Sequence, residues 1–248
     1  MLRNIPHHRY VLTLLALFLA LAIPLGIAPW HRADWLLENA LVVAALAVLA
    51  VLHWRCPLSR ISYTLVFLFL CLHEVGAHYT YAEVPYDAWW RSLTGRSFNE
   101  HFGWQRNHFD RLVPFLYGFL LAYPLRELFL RIADVRGFWG YFLPLDFTMS
   151  TSLLYELVEW AAAEFFGGEL GQAYLGTQGD VWDAHKDMAL ASLGALLAMM
   201  ITALIVRRHQ RDFAREWAES LRVKNRAPLG EEALAKLRQD KSVGRRQP

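Results

Sequence analysis

The sequence predicts an all-α fold: a polytopic membrane helical bundle of six transmembrane helices with both termini cytoplasmic. Three observations carry this. Of 248 residues, 55% are hydrophobic and only 19% charged, against about 25% charged in a soluble domain. The apolar residues fall in blocks of about 20, the length a bilayer core requires. Finally, 19 of the 25 Lys and Arg lie on one side if the chain crosses six times from a cytoplasmic N-terminus, the positive-inside pattern. Such a composition excludes a disordered chain, a secreted disulfide scaffold and a nucleic-acid-binding domain. The formal net charge of +2 is too small to imply an acidic partner, and its excess sits in the C-terminal tail.

The spans follow in order. Residues 11–29 begin after Arg3 and Arg9, a start that imitates a signal peptide. The apolar stretch is longer than a signal-peptide core of roughly 7–15 residues, and Pro29 follows the small-x-small triplet Gly26-Ile27-Ala28, so an uncleaved anchor is expected. Spans two to six are 35–54, 61–82, 111–131, 138–166 and 188–206. Each must be helical, because lipid offers no partner to exposed N–H and C=O groups. Between spans three and four, residues 83–108 are rich in aromatics (Tyr86, Trp89, Trp90, Phe98, Phe102, Trp104), which favour the headgroup level. That loop is expected on the bilayer surface. The Gly-rich stretch within 167–182 reads as a flexible connector and matches no phosphate-loop spacing.

The polar tail, 207–248, is expected to be cytoplasmic. Its part 211–221 reads as an amphipathic helix continuing span six, with a second short helix near Glu231 after Pro228-Leu229-Gly230. Its basic residues set orientation and attract anionic lipid; nucleic acid is not an expected partner. Cys56 and Cys71 stand roughly 15 Å apart along a helix axis, too far for a disulfide, so both are expected free.

Ionisable groups inside spans are costly and therefore point to function. Span three carries His73, Glu74 and His78 in its outer half; Glu74 and His78, four apart, share a face. The spacing is not HExxH, because the two His are five apart. Span four enters through Arg106, Asn107, His108, Asp110 and Arg111. Span five ends with Ser152, Glu156 and Glu159 on one face. Span six begins with Asp180, Asp183, Lys186 and Asp187. Four spans thus bring carboxylates and imidazoles to the outer side.

The leading expectation is metal-assisted or acid–base chemistry on a lipid-linked or small periplasmic substrate. His73, Glu74, His78, Asp183 and Asp187 would ligate a divalent transition metal. Glu74, Asp110, Glu156, Glu159 and Asp187 would serve as acid–base groups, and Arg106 and Arg111 would hold an anionic group. The alternatives are a transporter of protons, metal ions or small solutes, with Asp146 beside Pro144 as the deep polar candidate, or a non-catalytic membrane partner. A network that only locks the bundle is the bland counterpart of all three. For Glu38 and Asn39 an interfacial place is favoured over the site, and Glu127 is expected to pair with Arg126 and Arg131.

Five stretches resemble the YjdF-like family of bacterial inner-membrane proteins: HEVGAHYTYAEVP (73–85), FGWQRNHFDR (102–111), YPLRELFLR (123–131), LPLDFTMSTSLLYELVEW (143–160) and LGTQGDVWDAHKDMALASLGA (175–195). The resemblance covers most of residues 10–206 and leaves the basic tail outside. It implies a multi-pass protein of a bacterial inner membrane and carries over no catalytic residue. Asp187 followed by Gly194 is faintly similar to VanZ-like membrane proteins.

Overall fold

The computed structural model describes residues 6–166, 180–224, 230–232 and 235–236. These residues form α1 (His7–Ile27), α2 (Arg32–Arg55), α3 (Arg60–Tyr79), α4 (Tyr86–Thr94), α5 (Phe98–Phe102), α6 (Phe109–Ile132), α7 (Trp139–Phe166), α8 (Asp183–His209) and α9 (Phe213–Ser220). The protein is an all-α membrane bundle. α1, α2, α3, α6 and α8 are long and apolar enough to cross a membrane, and large apolar side chains such as Ile23, Val43, Val158 and Leu204 cover the outside of the bundle. α7 is long enough at 28 residues, but Pro144 and the carboxyl groups of Asp146, Glu156, Glu159 and Glu164 leave it less apolar. The Gly-rich connector expected within 167–182 lies outside the described residues up to 179.

The centre of the bundle is the crossing of α6 on α8. A Cβ on Gly118 would strike the Ala191 carbonyl, and one on Gly194 would strike the Phe115 carbonyl. Ala122, Ala191, Ala195 and Ala198 extend this buried small-residue seam. Apolar burial gives little drive between helices in lipid, so close backbone approach at small residues does that work. α3 and α7 lean on the α6–α8 pair, α1 packs on α3, and α2 packs on α3. Phe18, Val42 and Leu70 fill the space among α1, α2 and α3.

Polar clamps fix the two ends. At one end, the Glu127 carboxylate of α6 accepts the Ser59 N–H at 2.8 Å and the Ser62 hydroxyl at 2.5 Å. It thereby caps the start of α3, a broader role than the Arg pairing expected of it, although Arg131 also reaches it at 3.1 Å. At the same end α9 folds back on the start of α7. Glu216 accepts the Gly137 N–H at 3.2 Å, Ser220 Oγ accepts the Phe138 N–H at 3.0 Å, and the Trp139 indole donates to Ser220 O at 2.9 Å. The first two donors are amides of a helix N-terminus that need acceptors. At the other end His78 Nδ1 donates to the Leu25 carbonyl at 2.7 Å. That carbonyl would otherwise look to residue 29, a proline with no N–H. The His78 carbonyl in turn accepts the Trp30 N–H at 3.0 Å.

Three expected boundaries shift. Span three ends at Tyr79, not at residue 82, because Thr80 and Tyr81 turn back with φ of 60° and 49°. Span six begins at Asp183 and runs to His209. The tail helix does not continue it: the chain is extended at Gln210 and restarts as α9. The described residues 230–232 and 235–236 are helical, as expected near Glu231. Both cysteines are free. The aromatic segment forms α4 and α5, with Trp89, Trp90, Leu93 and Phe102 exposed. Asp87 ties the two helices together, accepting the Ser97 hydroxyl at 2.9 Å and the Asn99 N–H at 2.9 Å.

Two outcomes follow from this packing. Gly194→Val places methyl groups against a backbone carbonyl that cannot move aside. It should cost roughly 3 kcal/mol or more, the upper end for overpacking, read as a fall in the melting temperature in detergent, whereas a glycine of open surroundings such as Gly230 should accept Ala with far less loss. The Asn99 N–H, followed by the Ser97 hydroxyl, holds the Asp87 carboxyl below its ordinary 3.8. A carboxyl lowered on folding stabilises fully above its unfolded value and loses that contribution as pH falls through the lower native one. An acid-active protease should therefore begin to cut within 86–102 only below pH 3.8, and Asp87→Ala should be cut at every pH without such a step.

Candidate functional site

The end of the bundle that carries α4 and α5 also holds the polar groups of α2, α3, α6, α7 and α8. At its mouth Arg111 is gripped by three carboxylates: Asp180 at 2.9 Å, Asp183 at 2.5 Å and Asp187 at 2.6 Å. The α6–α8 crossing places these groups within reach. Arg106 pairs with Asp110 and stands 3.9 Å from Asp180, and Lys186 meets Asp180 at 2.6 Å. Asp180 precedes α8, and the Lys186 hydrogen bond and the Trp182 N–H hold its carboxyl below the usual carboxylate range.

Deeper, a second network joins α2, α3 and α7. Glu38 is 7% exposed and His73 8%. The Tyr81 hydroxyl lies 2.8 Å from His73 Nδ1 and 3.3 Å from Glu38 Oε2. The Tyr155 hydroxyl donates to Glu38 Oε1 at 3.1 Å and also faces Glu159, whose carboxyl neighbours that of Glu156. His73 Nε2 stands 3.4 Å from the Glu38 carbonyl. A carbonyl only accepts, so Nε2 carries the hydrogen in that contact and Nδ1 accepts from Tyr81. The one Tyr81 hydrogen then faces two acceptors, an arrangement suited to relaying a proton.

Tyr81 reaches this place by an unusual turn. Thr80 and Tyr81 both adopt positive φ, uncommon for residues with a Cβ and costly for a β-branched one. The ring then lies back on α3 over Gly76, where any Cβ would collide with it. Held strain of this kind concentrates at functional sites.

Between the two networks lies a cavity of about 360 Å³, within the range of small-ligand sites. Its wall carries the carboxyl groups of Asp34, Glu38, Asp110, Glu156, Glu159, Asp183 and Asp187, with His73, Tyr81, Tyr117 and Tyr155, and no Lys or Arg among the described residues. Leu41, Val42, Phe69, Leu70 and Leu121 supply its apolar face. Leu121 lies ten residues beyond Arg111, so the cavity runs about 15 Å along α6, half of a hydrocarbon core of about 30 Å.

The expected site residues divide accordingly. His73, Asp110, Glu156, Glu159, Asp183 and Asp187 all line the cavity. Glu74 and His78 do not: they sit on another face of α3. His78 is spent on the Leu25 carbonyl. Glu74 is fully buried beside Asn39, whose amide donates instead to Trp35 O at 3.0 Å. Neither Glu74 oxygen has a hydrogen-bond partner of good geometry. The five residues expected to ligate a metal therefore do not converge, and no group of three or more His, Cys, Asp or Glu among the described residues can hold a metal ion. α6 stands between the helices that carry them. Arg106 and Arg111 are both engaged by carboxylates of the mouth, Arg111 by three of them. Glu38, given an interfacial place from sequence, is at the centre of the deeper network. Tyr81 and Tyr155 carry no mark of this role in the sequence, because tyrosine near a span end reads as an interfacial anchor. The usable signal was the face Glu38, Leu41, Val42, Ala45, which aims a carboxyl along an otherwise apolar helix side.

Residues 10–208 match the family described as predicted membrane protein (DUF2238), and the chain belongs to that family. It is 37% identical over 189 residues to the protein named inner membrane protein YjdF of Escherichia coli (strain K12), covering 76% of this chain and 86% of the relative. No solved structure matches.

Arg111→Ala should cost roughly 1–3 kcal/mol, because it strands partly buried carboxylates without their counter-charge. Adding Asp187→Asn should restore part of that loss. Melting curves of the two single variants and the double variant in detergent measure the coupling; additive losses would mean that the pair does not interact.

Proposed function

We propose that this inner-membrane protein binds a small cationic amphiphile, an amine on an apolar body, in the cavity and exchanges a proton with it. The observation that carries this is the composition of the wall: seven carboxyl groups and an imidazole against an apolar face, with no Lys or Arg among the described residues. Burying a charge is costly unless it is paired, so such a wall favours a ligand that brings positive charge. Glu38 is the acid–base group, exchanging a proton with the ligand nitrogen. Tyr81 links its carboxyl to His73 Nδ1, and Tyr155 links it to Glu159. Glu156 and Glu159 face the cationic head, and the Arg111 knot keeps Asp183 and Asp187 at the mouth.

Transition-metal chemistry is not part of this reading, because the expected ligands do not fit a metal ion. Passage through the bundle is not either. Asp146, its deep polar candidate, lies on the exposed face of α7 and is absent from the cavity wall. With the basic ends of the helices cytoplasmic by the positive-inside pattern, the cavity opens to the periplasm, in keeping with the inner-membrane relative.

Calorimetric titration of the protein in nanodiscs with decyldimethylamine tests this. The amine should bind, Glu38→Gln and Glu159→Gln should each weaken it about tenfold, near 1.4 kcal/mol, and neutral decanol should bind weakly and equally to all three forms. Decanol binding as tightly as the amine, or amine binding unchanged in both folded variants, would overturn the proposal.

A further inference from the structure

The opposite end of the bundle contains a second, open cavity, about 540 Å³, bordered by α6, α7, α8 and α9 and lined among others by Arg126, Arg136, Tyr141, His209, Gln210 and Glu216. Its chemistry is the reverse of the first. The Arg126 guanidinium lies over the Tyr141 ring, 4.4 Å from its centroid. Arg126 Nε is buried and has no hydrogen-bond partner, and no carboxylate among the described residues stands at ion-pair distance from this side chain. The guanidinium's hydrogen-bond partner is the Tyr141 side chain, which leaves Nε unserved; a buried donor left unpaired costs about 1–3 kcal/mol, more when it is charged, so an acceptor entering the cavity would be favoured there. Arg136 pairs with Asp134 at the exposed surface. His209 spends Nδ1 on the Ile205 carbonyl at 2.8 Å and keeps Nε2. Glu216, the acidic group of this wall, is occupied as the acceptor of the Gly137 N–H.

From this we infer that the cavity is a binding site for a phosphate-bearing anion, with Arg126 as its anchor and Arg136 and His209 at its rim, and that the anion is the headgroup of an acidic membrane lipid. Basic pockets between spanning helices at the cytoplasmic side bind such headgroups. Ile205 and Val206 give the wall an apolar side where acyl chains can lie. α9 closes the cavity from below, so a bound headgroup would also brace the tail helix against α7. This site is independent of the acid–base cavity and stands or falls without it.

Native mass spectrometry of the detergent-solubilised protein with added phosphatidylglycerol, phosphatidylcholine or inorganic phosphate tests the site. Phosphatidylglycerol should remain bound through collisional activation to the wild type and to Arg207→Gln, which removes one charge from the same end but outside the cavity. Retention should fall about tenfold, the factor a charge-assisted hydrogen bond commonly supplies, in Arg126→Gln and in Gln210→Glu. The second variant alters an exposed residue and keeps the test valid should the first fail to fold. Displacement of the lipid by millimolar inorganic phosphate would support the site with soluble phosphate as its source; resistance to it would support the lipid. Equal loss in Arg207→Gln and Arg126→Gln, or equal retention of phosphatidylcholine, would overturn the inference.

Discussion

The contact between α6 and α8 is the constraint from which the rest of the structure follows. Gly118 and Gly194 let two backbones touch where any larger residue would part them. That approach has an electrostatic consequence: it brings the first turn of α6 against the first turn of α8 and so places Arg111 among Asp180, Asp183 and Asp187. Arg111 is a planar fork with five donors, and only a close helix pair could serve it with three separate carboxylates. The steric seam and the ionic knot therefore stabilise the same geometry, one at mid-bundle and the other at the mouth. α3 and α7 then rest on a rigid pair, while α2 packs on α3 alone among the closely packed helix pairs.

Charge is distributed differently along the site. At the mouth, three bases face four aspartates and each base is engaged. Inside, Glu38, Glu156 and Glu159 have tyrosine and imidazole neighbours but no Lys or Arg on the cavity wall. A mouth whose acids nearly all have a base and an interior whose carboxyl groups have none on the wall give the cavity a direction, since a cation moving inward passes partnered groups and meets unpartnered ones. The other end is built on the opposite rule. There the carboxylates of Glu127 and Glu216 are used in capping the starts of α3 and α7, favourable places for negative charge on a helix, and Arg126 is left without a carboxylate at ion-pair distance among the described residues.

Much of the architecture was legible in the sequence because the bilayer fixes span length and composition. Segment order and the gathering of Asp110, Glu156, Glu159, Asp183 and Asp187 at one end follow from hydropathy and charge. The site itself was only half legible. Glu74 shares the HEVGAH segment with His73 and looked equivalent to it, yet neighbours on a helix point about 100° apart, and packing alone decides which of them meets the cavity. Nothing in a Thr80-Tyr81 pair announces positive φ, since Gly or Asn would be the usual signal. The tyrosine that links Glu38 to His73 therefore had no sequence mark. The partners of Arg111 were nameable one by one, but its saturation by three of them depends on a helix crossing that only the Gly118–Gly194 contact defines.

How a ligand would reach the cavity follows from what each route must break. Opening toward the basic end would tear Glu127 from Ser59 and Ser62 and release α9 from α7, exposing several helix-terminal amides at once. Such groups are costly to strand away from water. Opening at the aromatic end between α2 and α7 disturbs far less: these two helices meet through the Tyr155–Glu38 hydrogen bond, and Leu41, on the cavity wall, is already 47% exposed on the outside. A residue that both latches this gap and carries the proposed proton exchange would feel an arriving cation twice, because neutralising Glu38 also weakens the bond that closes the cavity. Entry and chemistry would then be coupled through one carboxyl group, and the apolar flank of the gap would admit a molecule already dissolved in the bilayer.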